Sequence, residues 1–273
     1  MNGGIKKVLF ALTFLFFAGL ATFSGQKVYV IMEEYRVGEA SAQHLQQYIT
    51  LQPEGSETKP SAITDAASDE QPQDALQEPS VQYPTVDFDA LQKMNPDVLG
   101  WIYIEGTNIN YPIVQSTDND YYLNRLVDGT YNGAGSIFMD YRNAPDFSDS
   151  HTVIYGHNMK NKTMFAHITE YKKAEFYEEH PVGKIMTPWG NFEFQIVGGY
   201  VADPADPAWE LYFESEEEFQ DWLRDTMKRS DVGGEYVPVG GERIITLSTC
   251  SYEFDNARFV LICRIAEPSG EDK

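Results

Sequence analysis

Cysteine, arginine and histidine side chains lie at the ends of short apolar runs in the second half of the chain. The segment 244–250 is rich in β-branched residues and ends in Cys250, and Arg258 begins a similar run eight residues later. Two antiparallel strands joined by the intervening loop would place thiol and guanidinium side by side. His157 closes another such run. A thiol, a base and a cation together predict an acyl-transfer site.

The expected chemistry assigns a role to each of these three side chains. The thiolate of Cys250 is the nucleophile, and both Arg258 and protonated His157 favour it over the thiol, whereas burial opposes it. His157 protonates the departing amine and later takes a proton from the incoming one, because its pKa is near neutral. Arg258 positions the substrate backbone and, with backbone N–H groups, stabilises the oxyanion.

A structural disulfide is the alternative role for the thiol. Cys250 and Cys263 are the only two cysteines of the chain, and exported proteins commonly pair their cysteines. Strand alternation argues against this pairing. Arg258 and Cys263 are five residues apart and therefore face opposite sides of a regular strand. If Arg258 faces Cys250, Cys263 points away and is expected to be a small core residue.

Three further residues near these runs are weaker candidates. His151 begins the same run as His157 and lies about 20 Å from it along a strand. Ser248 and Tyr155 share the strand faces of Cys250 and His157. Both are candidate substrate-binding residues, and structural packing is the alternative for each.

The elements that position these residues are mainly β-strands. Short runs with turn signals between them predict a closed or nearly closed β-barrel. Ser215 and Glu218 form a capping-box pattern before residues with helical apolar spacing, which predicts a core-facing helix. Two further helices are expected at 87–94 and 163–171. The eight predicted strands are 100–104, 108–115, 135–141, 152–156, 184–187, 192–202, 243–250 and 258–265.

Three motifs together resemble the sortases, and more narrowly the class B sortases of Gram-positive bacteria. They are TLSTC ending at Cys250, an arginine eight residues later, and TVIYGHNM around His157. The resemblance runs from about Asp87 to Ala266 and includes NINYPIVQ, YYLN and GSIFMDYRN. It implies a mainly β fold, a closed eight-stranded sortase-type barrel with an N-terminal helix and a long helix before the cysteine-bearing strand.

The resemblance also implies a function, that of a cysteine transpeptidase, a hydrolase or acyltransferase of the thiol-protease type. Sortases cleave a C-terminal sorting signal after its threonine, form a thioacyl enzyme, and transfer the acyl group to an amine. The implied partners are exported proteins with an Asn-Pro-x-Thr-like signal and a cell-wall precursor or peptidoglycan amine. Ser251 stands where some class B members carry an acidic residue, so no role of that acid is transferred.

Two other functions are compatible with an exported cysteine protein. An L,D-transpeptidase-like wall cross-linker would carry His and Gly close before its cysteine, where this chain has Leu247-Ser248-Thr249. A catalytically inert, membrane-tethered binding module would not need Cys250, His157 and Arg258 together. The sequence disfavours both.

The N-terminus predicts an export signal or a membrane anchor in residues 1–33, and an uncleaved signal anchor is favoured over a cleaved signal. Lys6 and Lys7 precede the uncharged run from Val8 to Phe23, which would span only about 24 Å as a helix. The segment up to Met32 adds only one charge, at Lys27, and lengthens the stretch that is available to cross a membrane. The preceding lysines place the N-terminus inside. The expected location is the plasma membrane, single-pass, with an extracellular catalytic domain.

Composition divides the remainder of the chain and excludes some functions. Residues 34–85 are mostly polar and predict a flexible extracellular stalk, in which 34–50 could form a short juxtamembrane helix. Residues 86–267 form the predicted catalytic domain, and 268–273 a disordered tail. The formal net charge of -22 argues against nucleic-acid binding. No metal-ligand pattern is evident, and no cofactor is expected.

Overall fold

The computed structural model describes residues 3–51, 82–234 and 236–266. The central part of the predicted stalk, 52–81, and the predicted tail, 268–273, lie outside the described residues. The α-helices are α1 (Gly3–Leu45), α2 (Phe88–Met94), α3 (Ala174–Glu179) and α4 (Glu216–Met227). The strands are β1 (Ile49–Thr50), β2 (Thr85–Val86), β3 (Val98–Tyr103), β4 (Asn110–Val114), β5 (Ile137–Met139), β6 (His151–Tyr155), β7 (Val182–Thr187), β8 (Gly190–Ala202), β9 (Ile244–Cys250) and β10 (Arg258–Ile265).

Strands β3 to β10 form a closed barrel in the order β10-β8-β7-β3-β4-β5-β6-β9. Neighbouring strands are antiparallel except for two parallel pairs, β4 with β5 and β6 with β9. Each barrel strand corresponds to one predicted run, and the strand ends differ from the predicted ones by no more than two residues. The closed eight-stranded barrel is therefore confirmed.

Strand alternation in β10 separates two hydrophobic clusters. Leu261 and Cys263 belong to the large cluster that fills the barrel, whereas Val260 and Ile262 pack in a second cluster under α4. Because α4 covers the outer face, both faces of the strand are buried. Cys263 is a free, fully buried thiol. The prediction that it is a core residue and not half of a disulfide is confirmed.

Two helices flanking the barrel test the helical predictions. Helix α4 begins after Ser215, whose side-chain oxygen accepts a hydrogen bond of 3.2 Å from the Glu218 backbone N–H, as the capping pattern predicted. The predicted helix at 163–171 is instead a 3-10 helix, Phe165–Lys172. Met164 just before it has a φ of 57°, a left-handed conformation that interrupts a right-handed helix.

The end of α1 and the segment after it pack against the barrel. The Asn132 side-chain amide donates to the Glu34 carbonyl oxygen at 2.9 Å. Leu45 and Ile49 are buried in one cluster with Trp101 of β3, and β1 pairs with β2. The prediction of a flexible stalk from Glu34 onwards is therefore corrected for residues 34–51. Apolar residues within this polar segment supply the contact that composition alone did not indicate.

His151 is a buried structural residue and does not belong to the site of His157. Its Nδ1 donates to the Glu210 carbonyl oxygen at 2.5 Å, and its Nε2 accepts from the Thr246 hydroxyl at 2.8 Å. The ring also packs on Trp222, with ring centroids 4.4 Å apart. Burial lowers the pKa of His151 to about 4. The neutral ring thus satisfies both of its nitrogens inside the core.

This buried imidazole predicts a loss of stability in mild acid. The unfolded chain binds a proton at His151 near pH 6.5, whereas the folded protein does not until about pH 4, so stability falls as pH drops through this window. Between pH 7 and 5 the free energy of unfolding should decrease by about 2 kcal/mol from this group. Urea unfolding of the native protein and of His151→Gln, followed by tryptophan fluorescence, measures the difference. Equal pH dependence in both proteins would contradict it.

Candidate active site

Cys250 and Arg258 face each other across two antiparallel strands. Cys250 is the last residue of β9, Arg258 is the first residue of β10, and the two form a direct cross-strand pair. The connecting loop is closed by a hydrogen bond of 2.9 Å from the Ser251 N–H to the Ala257 carbonyl. The predicted neighbourhood of thiol and guanidinium is therefore confirmed. Both side chains are half-buried.

His157 reaches the same place through the parallel pairing of β6 and β9. In this register Tyr155 lies opposite Ser248, and the Gly156 N–H donates to the Ser248 carbonyl at 3.1 Å. Because parallel strands run in the same direction, the residues that follow Tyr155 lie beside the residues that follow Ser248. His157 is thereby brought beside Cys250.

Two side-chain hydrogen bonds hold these neighbouring segments together. The Thr249 hydroxyl donates to the Gly156 carbonyl oxygen at 2.6 Å. The Asn158 side-chain amide donates to the Cys250 carbonyl oxygen at 2.9 Å. These bonds connect the residues on either side of His157 to the end of the cysteine-bearing strand. Neither Thr249 nor Asn158 was singled out from the sequence.

The orientation of the imidazole ring follows from a backbone contact. His157 Nε2 lies 2.7 Å from the carbonyl oxygen of Leu123, in the 3-10 helix Tyr121–Asn124. A carbonyl oxygen accepts hydrogen bonds but cannot donate them, so Nε2 carries the hydrogen. Nδ1 is then the ring nitrogen free to exchange a proton with a reacting group. A backbone acceptor has no side-chain signature, so sequence patterns could not identify Leu123.

The charges of the site favour an ionised cysteine. The pKa of the Cys250 thiol is lowered, first by hydrogen bonding with the His157 side chain and also by the charge of Arg258, although burial opposes the shift. The pKa of His157 is raised, first by Cys250, against burial, and with help from the Leu123 carbonyl. The two shifts have the same consequence, because a lower thiol pKa and a higher imidazole pKa both stabilise a thiolate–imidazolium pair.

All five predicted site residues line one depression of about 710 Å³, here called the cysteine groove. The Ser248 hydroxyl accepts a hydrogen bond of 3.1 Å from Trp209 Nε1. The Tyr155 hydroxyl donates to Asp140 Oδ2 at 3.0 Å. Ser248 and Tyr155 therefore have structural contacts as well as a place in the groove wall. The lining residues are Asn119, Asp120, Leu123, Phe138, Tyr155, Gly156, His157, Ser248, Thr249, Cys250 and Arg258.

A buried carboxylate, Asp140, supports one wall of the groove. Its side chain accepts hydrogen bonds of 2.9 Å from Arg142 Nε and from the Asn119 amide, in addition to the bond from Tyr155. Burial alone would raise the pKa of Asp140, but these donors, Arg142 foremost, lower it overall. The carboxylate thus remains charged and restrains Tyr155. Asp140 lies within the GSIFMDYRN stretch, but no pattern in the sequence assigned it a role.

Metal ligation is not part of this arrangement. Across residues 3–51, 82–234 and 236–266, no three His, Cys, Asp or Glu side chains are grouped so that they could hold a metal ion. The chemistry available at the groove is that of a thiolate, an imidazole and a guanidinium, the set used for acyl transfer through a covalent intermediate.

Comparisons with known proteins agree with this geometry. A family model described as the sortase domain matches residues 102–266. Sortase B of Staphylococcus aureus is 33% identical over 184 residues, which cover 67% of this chain and 75% of that protein. Sortase B of Listeria monocytogenes is 41% identical over 165 residues, which cover 60% of this chain and 67% of that protein.

Solved structures give the same result at the level of the fold. The Staphylococcus aureus sortase B–substrate complex superposes with a TM-score of 0.62 at 34% identity, covering 67% of this chain and 85% of that one. Clostridium perfringens sortase B has a TM-score of 0.63 at 33% identity, covering 66% of this chain and 100% of that one. The chain therefore belongs to the sortase family, in which it is a class B sortase, and it is a cysteine transpeptidase.

Proposed function

We propose that this sortase is anchored in the plasma membrane and cleaves an Asn-Pro-x-Thr-like sorting signal after its threonine. Cys250 forms the thioacyl enzyme, and the acyl group is transferred to a cell-wall amine. The observation that carries the proposal is the convergence of Cys250, His157 and Arg258 at one groove. The similarity to Staphylococcus aureus sortase B, which has been solved with a substrate, supports a peptide signal as the donor.

The proposed first half-reaction uses all three side chains. The Cys250 thiolate attacks the threonine carbonyl carbon, a C–S bond forms, and the carbonyl oxygen becomes an oxyanion next to Arg258. When the intermediate collapses, the peptide C–N bond breaks and the proton on His157 Nδ1 passes to the departing amine. The second half-reaction reverses these steps with a new amine. Ser248 and Tyr155 are proposed to contact the donor peptide from the groove wall.

The proposed membrane anchor is the first part of α1. Among the described residues, α1 is long and apolar enough to cross a membrane. Its large apolar side chains, such as Phe10, Phe14 and Phe17, are exposed, which suits contact with lipid. The lysines before the apolar run favour a cytoplasmic N-terminus and an extracellular catalytic domain. Alkaline extraction of membranes and protease accessibility in protoplasts test this topology.

The donor specificity is tested with quenched fluorescent peptides and the full chain in detergent micelles. Peptides of NPQTN, NPKTG, SPKTG and LPETG type are incubated with and without triglycine, and products are identified by mass spectrometry. We expect cleavage after threonine of at least one NP-type peptide, with ligation only when the amine is present. Cleavage restricted to LPETG, or at another bond, would contradict the proposed signal.

Replacement of Arg258 by lysine is expected to lower kcat/KM for the donor peptide by about 10²- to 10³-fold. Arg258 Nη1 donates to the carbonyl oxygens of Asn256 and Ala257 at 3.1 and 3.2 Å, so the loop holds the guanidinium in place. Lysine keeps the charge but cannot make the loop contacts and reach the oxyanion together. Steady-state cleavage kinetics measure the loss. Arg264→Lys, at the far end of β10, is the control and should retain native rates.

A further inference from the structure

A second depression, here called the helix pocket, adjoins the cysteine groove at His157. It has a volume of about 680 Å³ and is formed between α1 and the barrel. His157 lines both depressions. The helix contributes Ile31, Glu34 and Tyr35, and the barrel side includes Asn158, Lys160 and Tyr252.

A transpeptidase must bring two substrates in turn to one cysteine. The donor peptide occupies the groove that contains Cys250 and Arg258, and its acyl part remains there as the thioester. The amine must therefore reach the acyl carbonyl while the acyl part still occupies the groove, and it must meet a base. His157 is the base of the proposed reaction, and it lines the helix pocket as well as the cysteine groove.

We propose that the helix pocket binds the amine acceptor, a short peptide with a free primary amine, and that α1 is part of this acceptor site. The inference rests on the proposed function, because it assigns the second substrate of the same reaction. The acceptor nitrogen attacks the thioester carbonyl carbon, and a C–N bond forms while the C–S bond breaks. The proton leaving the nitrogen passes to His157, and the Cys250 sulfur departs as a thiolate.

Glu34 gives the pocket its selectivity for a cationic ligand. Its side chain is half-buried and points towards the opposite wall, since a Cβ added to Gly133 would lie 3.4 Å from Glu34 Oε2. A carboxylate at this place attracts the ammonium form of the acceptor and raises its local concentration. The pocket also contains one exposed cation, Lys160, which fits a peptide carboxylate or carbonyl away from the amine.

Specific contacts hold α1 in the position that forms this pocket. The Asn132 amide caps the Glu34 carbonyl oxygen at 2.9 Å, and the Asn161 amide donates to Glu39 Oε1 at 2.7 Å. Gly38 allows the helix to approach closely, because a Cβ at this position would lie 3.1 Å from Ala134 Cβ. The acceptor site therefore depends on the docking of the helix, which the donor groove does not.

The first test changes the charge in the pocket in the full chain in detergent micelles. Glu34→Gln should raise the apparent KM for triglycine about fivefold, the effect of one partly exposed ion pair, and should leave donor cleavage without amine unchanged. Glu33→Gln is the matched control, since Glu33 pairs with Arg36 on the same helix turn and does not line the pocket. Equal KM values for native protein and Glu34→Gln would overturn the proposal.

The second test displaces the helix. Gly38→Leu should lower the ratio of ligated to hydrolysed product at a fixed triglycine concentration, with the rate of donor cleavage retained. Ala40→Leu introduces the same side chain at an exposed position of α1 and should keep the native ratio. A native product ratio in Gly38→Leu would mean that α1 takes no part in acceptor binding.

Calorimetry separates failure of this inference from failure of the proposed function. Triglycine is titrated into the native protein, Glu34→Gln and Glu33→Gln, a measurement that needs no donor peptide. Absence of cleavage of every donor peptide would refute the proposed signal, and the titration would still decide the acceptor site. If Glu34→Gln binds triglycine more weakly and Glu33→Gln does not, the acceptor site lies in the helix pocket. Equal binding to all three proteins refutes that site.

Discussion

Replacement of Cys250 by alanine should abolish both cleavage and transfer, with a loss of at least about 10⁴-fold in the rate of donor cleavage. Without the sulfur no thioacyl intermediate can form, and neither His157 nor Arg258 offers another nucleophile at that position. The fold should persist, because Cys250 is half-exposed at the end of its strand. Cleavage kinetics and trapping of the thioacyl enzyme by mass spectrometry measure the effect.

The second cysteine supplies the matched control for this substitution. Cys263 is fully buried in the barrel, and burial raises the pKa of its thiol, so it should react with alkylating reagents only after unfolding. Cys263→Ala should keep native turnover at some cost in stability. Iodoacetamide should label one site in native protein and none in Cys250→Ala. Labelling of folded Cys250→Ala, or activity in it, would show that the nucleophile lies elsewhere.

Replacement of His157 by glutamine should lower donor cleavage by about 10²- to 10⁴-fold, the usual contribution of general acid–base catalysis. Glutamine can still donate a hydrogen bond towards the Leu123 carbonyl, but it cannot carry a proton to the leaving amine. The effect should appear in kcat, since the side chain acts on the reacting atoms. Single-turnover kinetics with a saturating donor peptide separate this loss from weaker binding.

The same substitution should change the ionisation of Cys250. In native protein the thiol pKa is lowered chiefly by His157, so the thiolate persists to a lower pH than in an isolated cysteine. His157→Gln removes this stabilisation, and the pH profile of iodoacetamide alkylation should move to higher pH. His167→Gln is the control, because His167 accepts a hydrogen bond from Asn108 N–H elsewhere in the molecule. An unshifted profile in His157→Gln would remove His157 from the site.

The raised pKa of His157 should also extend donor cleavage towards alkaline pH. The imidazolium is the proton donor for the leaving amine, and its higher pKa keeps it protonated further towards alkaline pH. Cleavage should therefore be retained above the usual pKa of histidine and fall as pH rises past the raised value. The lowered pKa of Cys250 should likewise preserve the thiolate, and with it cleavage, to a lower pH than in an isolated cysteine.

Local patterns in the sequence determined most of the barrel. Each strand is a short run bounded by turn residues, and strand alternation correctly separated Cys263 from the face of Arg258. The pairing of Cys250 with Arg258 could also be predicted from the sequence, because the two strands are joined by a short loop and pair directly. These features depend on residues close in sequence, where backbone geometry and side-chain period leave few alternatives.

The position of His157 beside Cys250 was decided by tertiary structure. It requires the parallel pairing of β6 with β9, two strands far apart in the chain, and close packing at Gly156, where a Cβ would lie 2.5 Å from Ile137 Cδ1. Family resemblance identified His157 from its motif, whereas residue types alone left the choice of histidine open. The Leu123 carbonyl was not found because a backbone acceptor has no side-chain signature. The role of Asp140 was not found because two of its donors, Asn119 and Tyr155, are distant from it in sequence.

The segment after the predicted anchor shows most clearly which features the sequence determined and which depended on tertiary structure. Its polar composition predicted a flexible stalk, yet residues 34–51 form the end of α1 and a strand that dock on the barrel. The sequence determined that this segment can be helical and that the preceding run is apolar. Docking depends on a few side chains, such as Leu45 and Ile49, that meet a surface built from distant parts of the chain. Such complementarity exists only in the folded molecule, because average composition carries no information about which residues share a face.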